Sequence, residues 1–259
     1  GVLAPLDGVD AAKHRTSVLD TYNTDGKQYG LPTSFSNVVL FYNKDLFDKA
    51  GVAYPTKDWT WADEKAAAQK LTDKAAGVWG DYQPVSYNEY YKAVQQAGGE
   101  FLSSDGKKAA FDDAAGKKAA DWIAGKSGTV MPTAADGAGT PDFDSNLFKS
   151  GKLATFSNAV VVWKDAKNKA AAQKWADYLT SSKEMVDVRL KSGWEIPAIS
   201  DDSLLKPYLT AGTPANRQAV FDSLDHVAVA PQLGANSQKI QDDVTNALGE
   251  IAAGRQTTS

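Results

Sequence analysis

The chain has 259 residues, enough to bury a substantial core in one large domain or two smaller ones. Its 28 Lys and Arg residues against 32 Asp and Glu residues give a formal net charge of −4 without a basic run, which argues against nucleic-acid binding. The sequence contains no cysteine, which excludes disulfides and thiol chemistry, and no apolar run approaches the length of a membrane-spanning helix.

The first strong structural signal along the chain is a predicted buried strand over residues 38–42. The turn signal Gly30-Leu31-Pro32 precedes it, since proline fixes its own φ and favours extended geometry in the residue before it. The strand reads VVLFY, with β-branched and aromatic residues on both faces, which is typical of a strand covered on both sides. Residues 156–162 read FSNAVVV and predict a second buried strand, and the helical patterns between the two indicate an α/β fold.

Capped amphipathic helices are predicted between the two strands. Thr60 and Asp63 have the spacing of a capping box, and the helix that they open carries an apolar face made of Trp61, Ala68, Leu71 and Ala75. Ser86 and Glu89 form a second predicted capping box, and their helix ends at Gly98, where glycine supplies a left-handed cap.

Further helices are predicted over residues 112–124, ending at Gly125 in the same left-handed manner, and over residues 142–150. Residues 127–141 are rich in Gly, Thr, Ala and Pro and predict a loop. The last helix ends at Gly254 and has apolar residues at helical spacing, namely Ile240, Val244, Leu248 and Ile251.

The sequence has no recognisable metal-binding or nucleophilic motif. The two histidines lie far apart without metal-ligand spacing, so neither a metal nor another cofactor is expected. Acid pairs such as Asp142 with Asp144, or Asp242 with Asp243, suit glycoside hydrolysis, which needs two carboxyl groups across one cleft. Acids near helix starts are more commonly caps or solvated faces, so we expect no enzyme, with a glycoside hydrolase as the alternative.

Aromatic residues beside polar ones at element ends are the candidate ligand contacts. A sugar presents hydroxyl groups and C–H faces, so its pocket needs ring platforms together with hydrogen-bonding side chains. Packing in the core is the alternative for Tyr90, and Trp194 suits either role. The combination occurs in three places: Phe35, Ser36 and Asn37; Tyr87, Asn88 and Tyr91; and Trp194 and Glu195.

The wording of several segments resembles the extracellular solute-binding proteins of ABC importers, and among them the sugar-binding family that includes maltose-binding proteins. The segments follow the order of the family and cover most of the chain: YGLPTSFSNVVLFYNKDLFDKAGV at 29–52, DWTWADEKAAAQKL at 58–71, FSNAVVV at 156–162, SGWEIPAIS at 192–200 and ALGEIAAGRQT at 247–257.

The resemblance implies the α/β fold of type II periplasmic binding proteins, in which two lobes close on a sugar. It also implies a non-catalytic sugar-binding component of an ABC importer, located outside the cell or at its surface, with a membrane permease as partner. By position, residues 35–37 lie near the crossing to the second lobe, Tyr87 to Tyr91 match a sugar-facing helix start, and Trp194 with Glu195 match a loop near the cleft.

Two departures from the family pattern qualify these expectations. The segment Leu3-Ala4-Pro5-Leu6-Asp7 follows several βα units in the family but nearly begins this chain, so the leader and the leading strands of the first lobe are expected to be missing. Near residue 154, a segment that bears a sugar-stacking Trp in the family is bypassed. The expected division is a first-lobe remnant over 1–36, a second-lobe domain over 37–154 and a returning part over 155–259.

The departures predict a shortened chain with an incomplete or rearranged two-lobe architecture. A half-open site leaves much of a sugar in water, so weak, millimolar binding is expected, of roughly −4 kcal/mol. Uncovered apolar surface would favour self-association. A folded scaffold without a ligand stays open as a further alternative.

Overall fold

The structure, a computed structural model, describes residues 5–32, 40–157, 178, 181–192, 196–210, 215–222, 230–231 and 233–258. The chain divides into two compact units, each built from two chain segments. Unit 1 consists of Gly1–Val39 and Asn158–Val229, and unit 2 consists of Leu40–Ser157 and Ala230–Ser259. The division at residues 36 and 154 into parts of two lobes remains a prediction.

The described residues form helices and a few short strands. The helices are α1 (Thr16–Leu19), α2 (Lys44–Ala50), α3 (Trp61–Leu71), α4 (Tyr87–Gln96), α5 (Ala114–Ala124), α6 (Phe143–Lys149), α7 (Lys183–Ser192), α8 (Asp202–Thr210), α9 (Gln218–Asp222) and α10 (Ser237–Ala252). The strands are β1 (Asn23–Thr24), β2 (Lys27–Gln28), β3 (Leu40–Tyr42) and β4 (Thr155–Ser157).

The two predicted strands pair with each other in unit 2. β3 and β4 are antiparallel, with Leu40 opposite Ser157 and Tyr42 opposite Thr155. Residues 38–42 were predicted to form a strand that is buried on both faces. This prediction is wrong for β3, because Phe41 is 37% exposed and its neighbours are only partly buried. Residues 38–39 and 158–162 of the predicted strands lie outside the described residues.

The core of unit 2 forms where α4, α5 and α10 pack on one another. Phe101, which is 2% exposed, lies at its centre, with ring centroids 4.5 Å from Phe111 and 5.3 Å from Tyr87. Aromatic pairs such as these stabilise a core by about 0.5–1.5 kcal/mol each beyond the area that they bury. We call the following residues the aromatic cluster: Tyr87, Tyr90, Tyr91, Phe101 and Phe111.

The predicted helix starts are confirmed at Thr60 and Ser86. Thr60 and Asp63 exchange both bonds of a capping box at the start of α3. Ser86 accepts a hydrogen bond from the backbone N–H of Glu89 at 3.4 Å, which caps α4. The second half of that capping box does not form, because the carboxylate of Glu89 is bound by other side chains described below.

The predicted helix ends are confirmed in two of three cases. Gly98 and Gly254 have φ of +86° and +70°, the left-handed region that favours glycine. Gly125 has φ of −68°, so the prediction of a left-handed cap there is wrong, and the α5 chain turns away with right-handed geometry. α5 starts at Ala114 rather than 112, and Ala75 lies beyond α3, which ends at Leu71.

Unit 1 is built around a small apolar core between α7 and α8. Val186, Ile199 and Leu205 form this core and are each at most 2% exposed. An isolated β-bridge joins His14 to Ile199, and Arg15 pairs with Asp202 at the start of α8. The N-terminal segment of unit 1 is therefore held against its second segment.

Candidate functional site

Unit 2 contains a cavity of about 1020 Å³ that is lined by three separate parts of the chain. The lining residues fall within residues 82–85, 127–144 and 245–255. A volume of this size lies at the upper end of the range for small-ligand pockets. The cavity is therefore large enough for a ligand of more than one sugar ring.

Tyr82 lines the cavity, and residues 80–82 are fixed by backbone hydrogen bonds to two other chain segments. The Tyr82 N–H donates to the carbonyl of Thr155 at 3.0 Å, and the Asp81 N–H donates to the carbonyl of Val130 at 3.1 Å. Gly80 is required by close packing, since a Cβ there would lie 2.1 Å from a backbone carbonyl oxygen of α3. Other chain segments therefore hold the backbone around Tyr82 in place.

Two aromatic rings line the cavity, at Tyr82 and Phe143. Their centroids are 6.4 Å apart with an angle of 67° between the ring planes, an edge-to-face arrangement. Burial and then the charge of Asp144 raise the pKa of Tyr82 above its usual value, so its hydroxyl stays protonated. Phe143 lies close over Gly137, where a Cβ would approach its ring to 2.9 Å. The rings offer apolar faces beside a hydroxyl donor.

A buried lysine lies behind the Tyr82 wall. The Lys126 ammonium donates to Asp81 Oδ2 at 2.7 Å, to Gln83 Oε1 at 2.6 Å and to Glu64 Oε1 at 3.3 Å. It also lies 4.3 Å from the ring centroid of Trp122, a cation–π contact. Lysine has three N–H donors, so these bonds use all of them. We call Glu64, Asp81, Gln83 and Lys126 the Lys126 cluster.

Gln83 belongs both to the cavity lining and to the Lys126 cluster. Its Nε2 donates to Glu89 Oε2 at 3.0 Å, and Glu89 in turn accepts from Lys92 at 2.6 Å. Turning the amide over would place its N–H groups against an ammonium and its oxygen against a carboxylate. The network therefore fixes which amide atom faces which partner.

The two carboxyl groups of the Lys126 cluster differ in their partners. Asp81 is 2% exposed, and its second oxygen accepts a hydrogen bond from the Thr155 hydroxyl at 2.8 Å. Burial and the neighbouring charge of Asp81 raise the pKa of Glu64 to about 7, although Lys126 acts in the opposite direction. The cluster therefore changes its net charge near neutral pH.

The third part of the cavity lining comes from the C-terminal half of α10 and the residues that directly follow it. Arg255 donates two hydrogen bonds to the carboxylate of Glu250, at 2.6 Å and 2.7 Å, which hold the pKa of Glu250 below its usual value. The hydroxyl of Thr245 accepts a hydrogen bond from the backbone N–H of Tyr87 at 3.0 Å and so ties α10 to the start of α4. This side of the cavity combines polar groups with small residues such as Gly249.

The predicted ligand contacts at the start of α4 do not line this cavity. Tyr87 and Tyr91 are 4% and 9% exposed and belong to the aromatic cluster, whereas Asn88 is exposed. Burial raises the pKa of Tyr87 to about 12. A sugar contact for these three residues stays a prediction.

The other predicted contacts lie outside the described residues: Phe35, Ser36, Asn37, Trp194 and Glu195. Of the acids considered for hydrolysis, Asp144 lines the cavity, while Asp242 and Asp243 accept hydrogen bonds from side chains one turn earlier on α10. Asp142 has a left-handed backbone, with φ of +52°, where α6 begins.

Sequence reasoning missed Tyr82, Gln83, Phe143 and the Lys126 cluster. A Tyr-Gln pair just before a predicted helix start was a usable signal, since it is another aromatic residue beside a polar one. Lys126 and Asp81 are 45 positions apart, and no local pattern links them. Within the described residues, no group of three or more His, Asp or Glu could hold a metal, and no helix has the length and apolar character needed to cross a membrane.

Comparison with known proteins gives matches along the whole chain. Residues 1–186 match the family model described as bacterial extracellular solute-binding protein. An ABC substrate-binding protein from Listeria monocytogenes, solved in complex with cycloalternan, is 34% identical with a TM-score of 0.88, over 100% of this chain and 76% of that one. The sugar-binding protein MalE from Xanthomonas citri has a TM-score of 0.78 at 19% identity, over 99% of this chain and 75% of that one.

Curated relatives match over shorter segments. An arabinooligosaccharide-binding protein of Bacillus subtilis is 31% identical over 105 residues, which is 40% of this chain and 24% of that protein. The matched segments span between 19% and 27% of the length of the curated relatives. The structural likeness confirms the predicted α/β fold of type II periplasmic binding proteins.

Proposed function

Since the chain belongs to the family of bacterial extracellular solute-binding proteins, we propose that it is a non-catalytic, oligosaccharide-binding component of an ABC importer. The observation that carries the proposal is the cavity of unit 2, in which two rings lie beside hydrogen-bonding side chains. Rings take the C–H faces of a sugar and the polar groups take its hydroxyls. An ABC permease partner and a location outside the cell or at its surface follow from the same family.

An oligosaccharide suits the cavity better than a single sugar. The volume of about 1020 Å³ exceeds what one ring fills. The Listeria monocytogenes protein carries cycloalternan, and the Bacillus subtilis relative is named for arabinooligosaccharides. Cycloalternan is the first probe, because the protein that carries it is similar to this chain along its whole length.

Glycoside hydrolysis is the less favoured alternative. Asp144 and Glu250 both line the cavity, so two carboxyl groups are available in one place. A general acid needs a raised pKa, whereas Arg255 lowers the pKa of Glu250. Glu64 has a raised pKa but is not among the cavity-lining residues. Neither Glu250 nor Glu64 therefore supplies the general acid of a hydrolytic pair in this cavity.

Calorimetric titration of the chain with cycloalternan, maltotetraose and an arabino-oligosaccharide tests the proposal, with D-mannitol as a small control. Concentrations should reach the millimolar range, so that weak binding is measured as well. We expect Phe143→Ala to weaken binding about tenfold, the loss of roughly one stacking contact. Tyr54→Ala is the matched control, since Tyr54 is a partly exposed ring of unit 2 that does not line the cavity.

Failure of every oligosaccharide to bind would overturn the proposal. Equal losses in Phe143→Ala and Tyr54→Ala would place the binding site elsewhere. Release of reducing sugar, abolished in Asp144→Asn or Glu250→Gln, would favour the hydrolase instead.

A further inference from the structure

Gln83 is the residue through which the buried Lys126 cluster reaches the cavity. An amide offers two N–H donors and two acceptor lone pairs. Lys126 takes one lone pair and Glu89 takes one N–H. Among the described residues, the remaining N–H and lone pair have no bonded partner, and Gln83 is a cavity-lining residue. A donor and an acceptor at a fixed spacing match two neighbouring hydroxyls of a sugar.

Three features show that Lys126 is held in place independently of Gln83. Its side chain is 3% exposed, its ammonium pairs with Asp81 at 2.7 Å, and it lies 4.3 Å from the ring of Trp122. The Trp122 ring is itself stacked on Trp61 at 5.0 Å, with 2° between the ring planes. A cation fixed on these sides has little freedom to follow a moving glutamine.

We propose that Lys126 is a positioning residue for the cavity, which holds the Gln83 side chain in one orientation for ligand. Lys126 does not line the cavity itself, and Gln83 is the cavity-lining side chain to which its ammonium donates a hydrogen bond. The inference deepens the proposed function and rests on it, because an ordered Gln83 matters for binding only where the cavity takes a sugar.

The side-chain amide of Gln83 tests the positioning directly, without any ligand. Its pair of N–H signals in an NMR spectrum is identified by its loss in Gln83→Ala. In Lys126→Met, the amide oxygen loses its bond and Gln83 keeps only the bond from Nε2 to Glu89, so we expect this pair to shift toward the position of solvent-exposed glutamines and its hydrogen exchange to rise.

Lys126→Met leaves Asp81 buried without its cation and is at risk of not folding. The double variant Lys126→Met with Asp81→Asn removes both charges and keeps the test possible. Asp81→Asn alone is the matched control, because it retains Lys126 and its bond to Gln83. Lys74→Met is a second control, since Lys74 donates to the Gly128 carbonyl and lies over Trp79 but does not contact Gln83.

A cycloalternan titration of the same variants shows whether the positioning matters for ligand. We expect the double variant to bind about tenfold more weakly than Asp81→Asn, and to add no further loss when Gln83 is already alanine. Unchanged Gln83 amide signals in the double variant, or losses that add fully to those of Gln83→Ala, would overturn the inference. If the unaltered chain binds no sugar, the proposed function fails, whereas the amide signals still decide whether Lys126 positions Gln83.

Discussion

Helix α4 and the short segment that precedes it bury very different groups. The helix buries aromatic rings against Phe101, which follows it in the chain, and Tyr87, Tyr90 and Phe101 are each at most 5% exposed. The preceding segment buries charge, with Asp81 against Lys126 at 2.7 Å. Burial of the rings stabilises the fold directly. Burial of the charges costs desolvation free energy, which is offset only while each charge keeps its partners.

The two regions differ in the groups that they leave available to a ligand. The aromatic cluster keeps α4 and α5 together, but its rings pack mainly against one another. Gln83, by contrast, belongs to the Lys126 cluster and also lines the cavity. The polar region therefore combines a rigid anchor with a side chain that keeps hydrogen-bonding capacity for a ligand.

Removing the cation should have the largest effect on stability. Lys126→Met leaves Asp81 as an uncompensated buried charge, and we expect a loss of about 4–5 kcal/mol in the free energy of unfolding. Urea unfolding provides the measurement. Lys239→Met is the matched control, because the Lys239–Asp243 pair is exposed, and it should change stability little. Equal effects of the two substitutions would contradict the distinction between buried and solvated pairs.

Removing a ring from the aromatic cluster should cost slightly less. We expect Phe101→Ala to lower the free energy of unfolding by about 3–4 kcal/mol, through lost transfer energy and the cavity that remains. Because Lys126 still holds the Gln83 oxygen while Glu89 of α4 holds its N–H, the side-chain amide signals of Gln83 should shift less in this variant than in the Lys126 variants. A shift of those signals equal to that in the Lys126 variants would show that the two regions are not separate.

The raised pKa of Glu64 predicts that the stability of the polar region depends on pH below neutrality. Between its ordinary value of 4.5 and about 7, the folded chain holds a proton on Glu64 that the unfolded chain has lost. Stability from this group is therefore full below the lower value and falls as pH rises, by at most about 1.4 kcal/mol per pH unit. Partial exposure of the Glu64 side chain, 21%, reduces this slope.

Glu64→Gln should remove this pH dependence. The difference in stability between the variant and the unaltered chain should therefore favour the variant more at neutral pH than at acidic pH. Comparing urea unfolding of both chains at about pH 5 and about pH 8 isolates the effect from other titrating groups. Parallel pH profiles for the two chains would mean that Glu64 is not held in its neutral form.

The smallest expected effect is at Ser86, the cap that joins the two regions. Its hydroxyl accepts from the Glu89 N–H, so Ser86→Ala should cost about 1 kcal/mol, and Ser86→Asp should retain most of the stability. Thermal unfolding of the three chains gives the measurement. A loss as large as that of Phe101→Ala would indicate that the cap also supports the Glu89 network.

Local signals in the sequence predicted the helix caps well, because a cap depends on residues three or four positions apart. The α/β fold was predicted by strands alternating with capped helices and by the family resemblance, which the matched relatives confirm. The exposure of Phe41 was not predictable in this way, since a two-sided apolar pattern does not say which neighbours cover each face.

The candidate site was much harder to predict. Tyr87 and Tyr91 carry the same residue types as a sugar platform, yet they pack against Phe101 and each other, which depends on a contact with residue 101 that the helix pattern does not contain. Lys126 lies close to Asp81 and Gln83 only in the folded chain. Glu89 has capping-box spacing but binds Gln83 and Lys92, so a local rule gave way to a long-range network.

The most direct test of the account is an NMR titration of the isotope-labelled chain with cycloalternan, following the signals of Tyr82, Gln83 and Phe143. We predict saturable shifts at these three residues, with smaller changes in the aromatic cluster. Saturable binding that leaves all three unchanged would contradict the claim that the cavity of unit 2 is the sugar site.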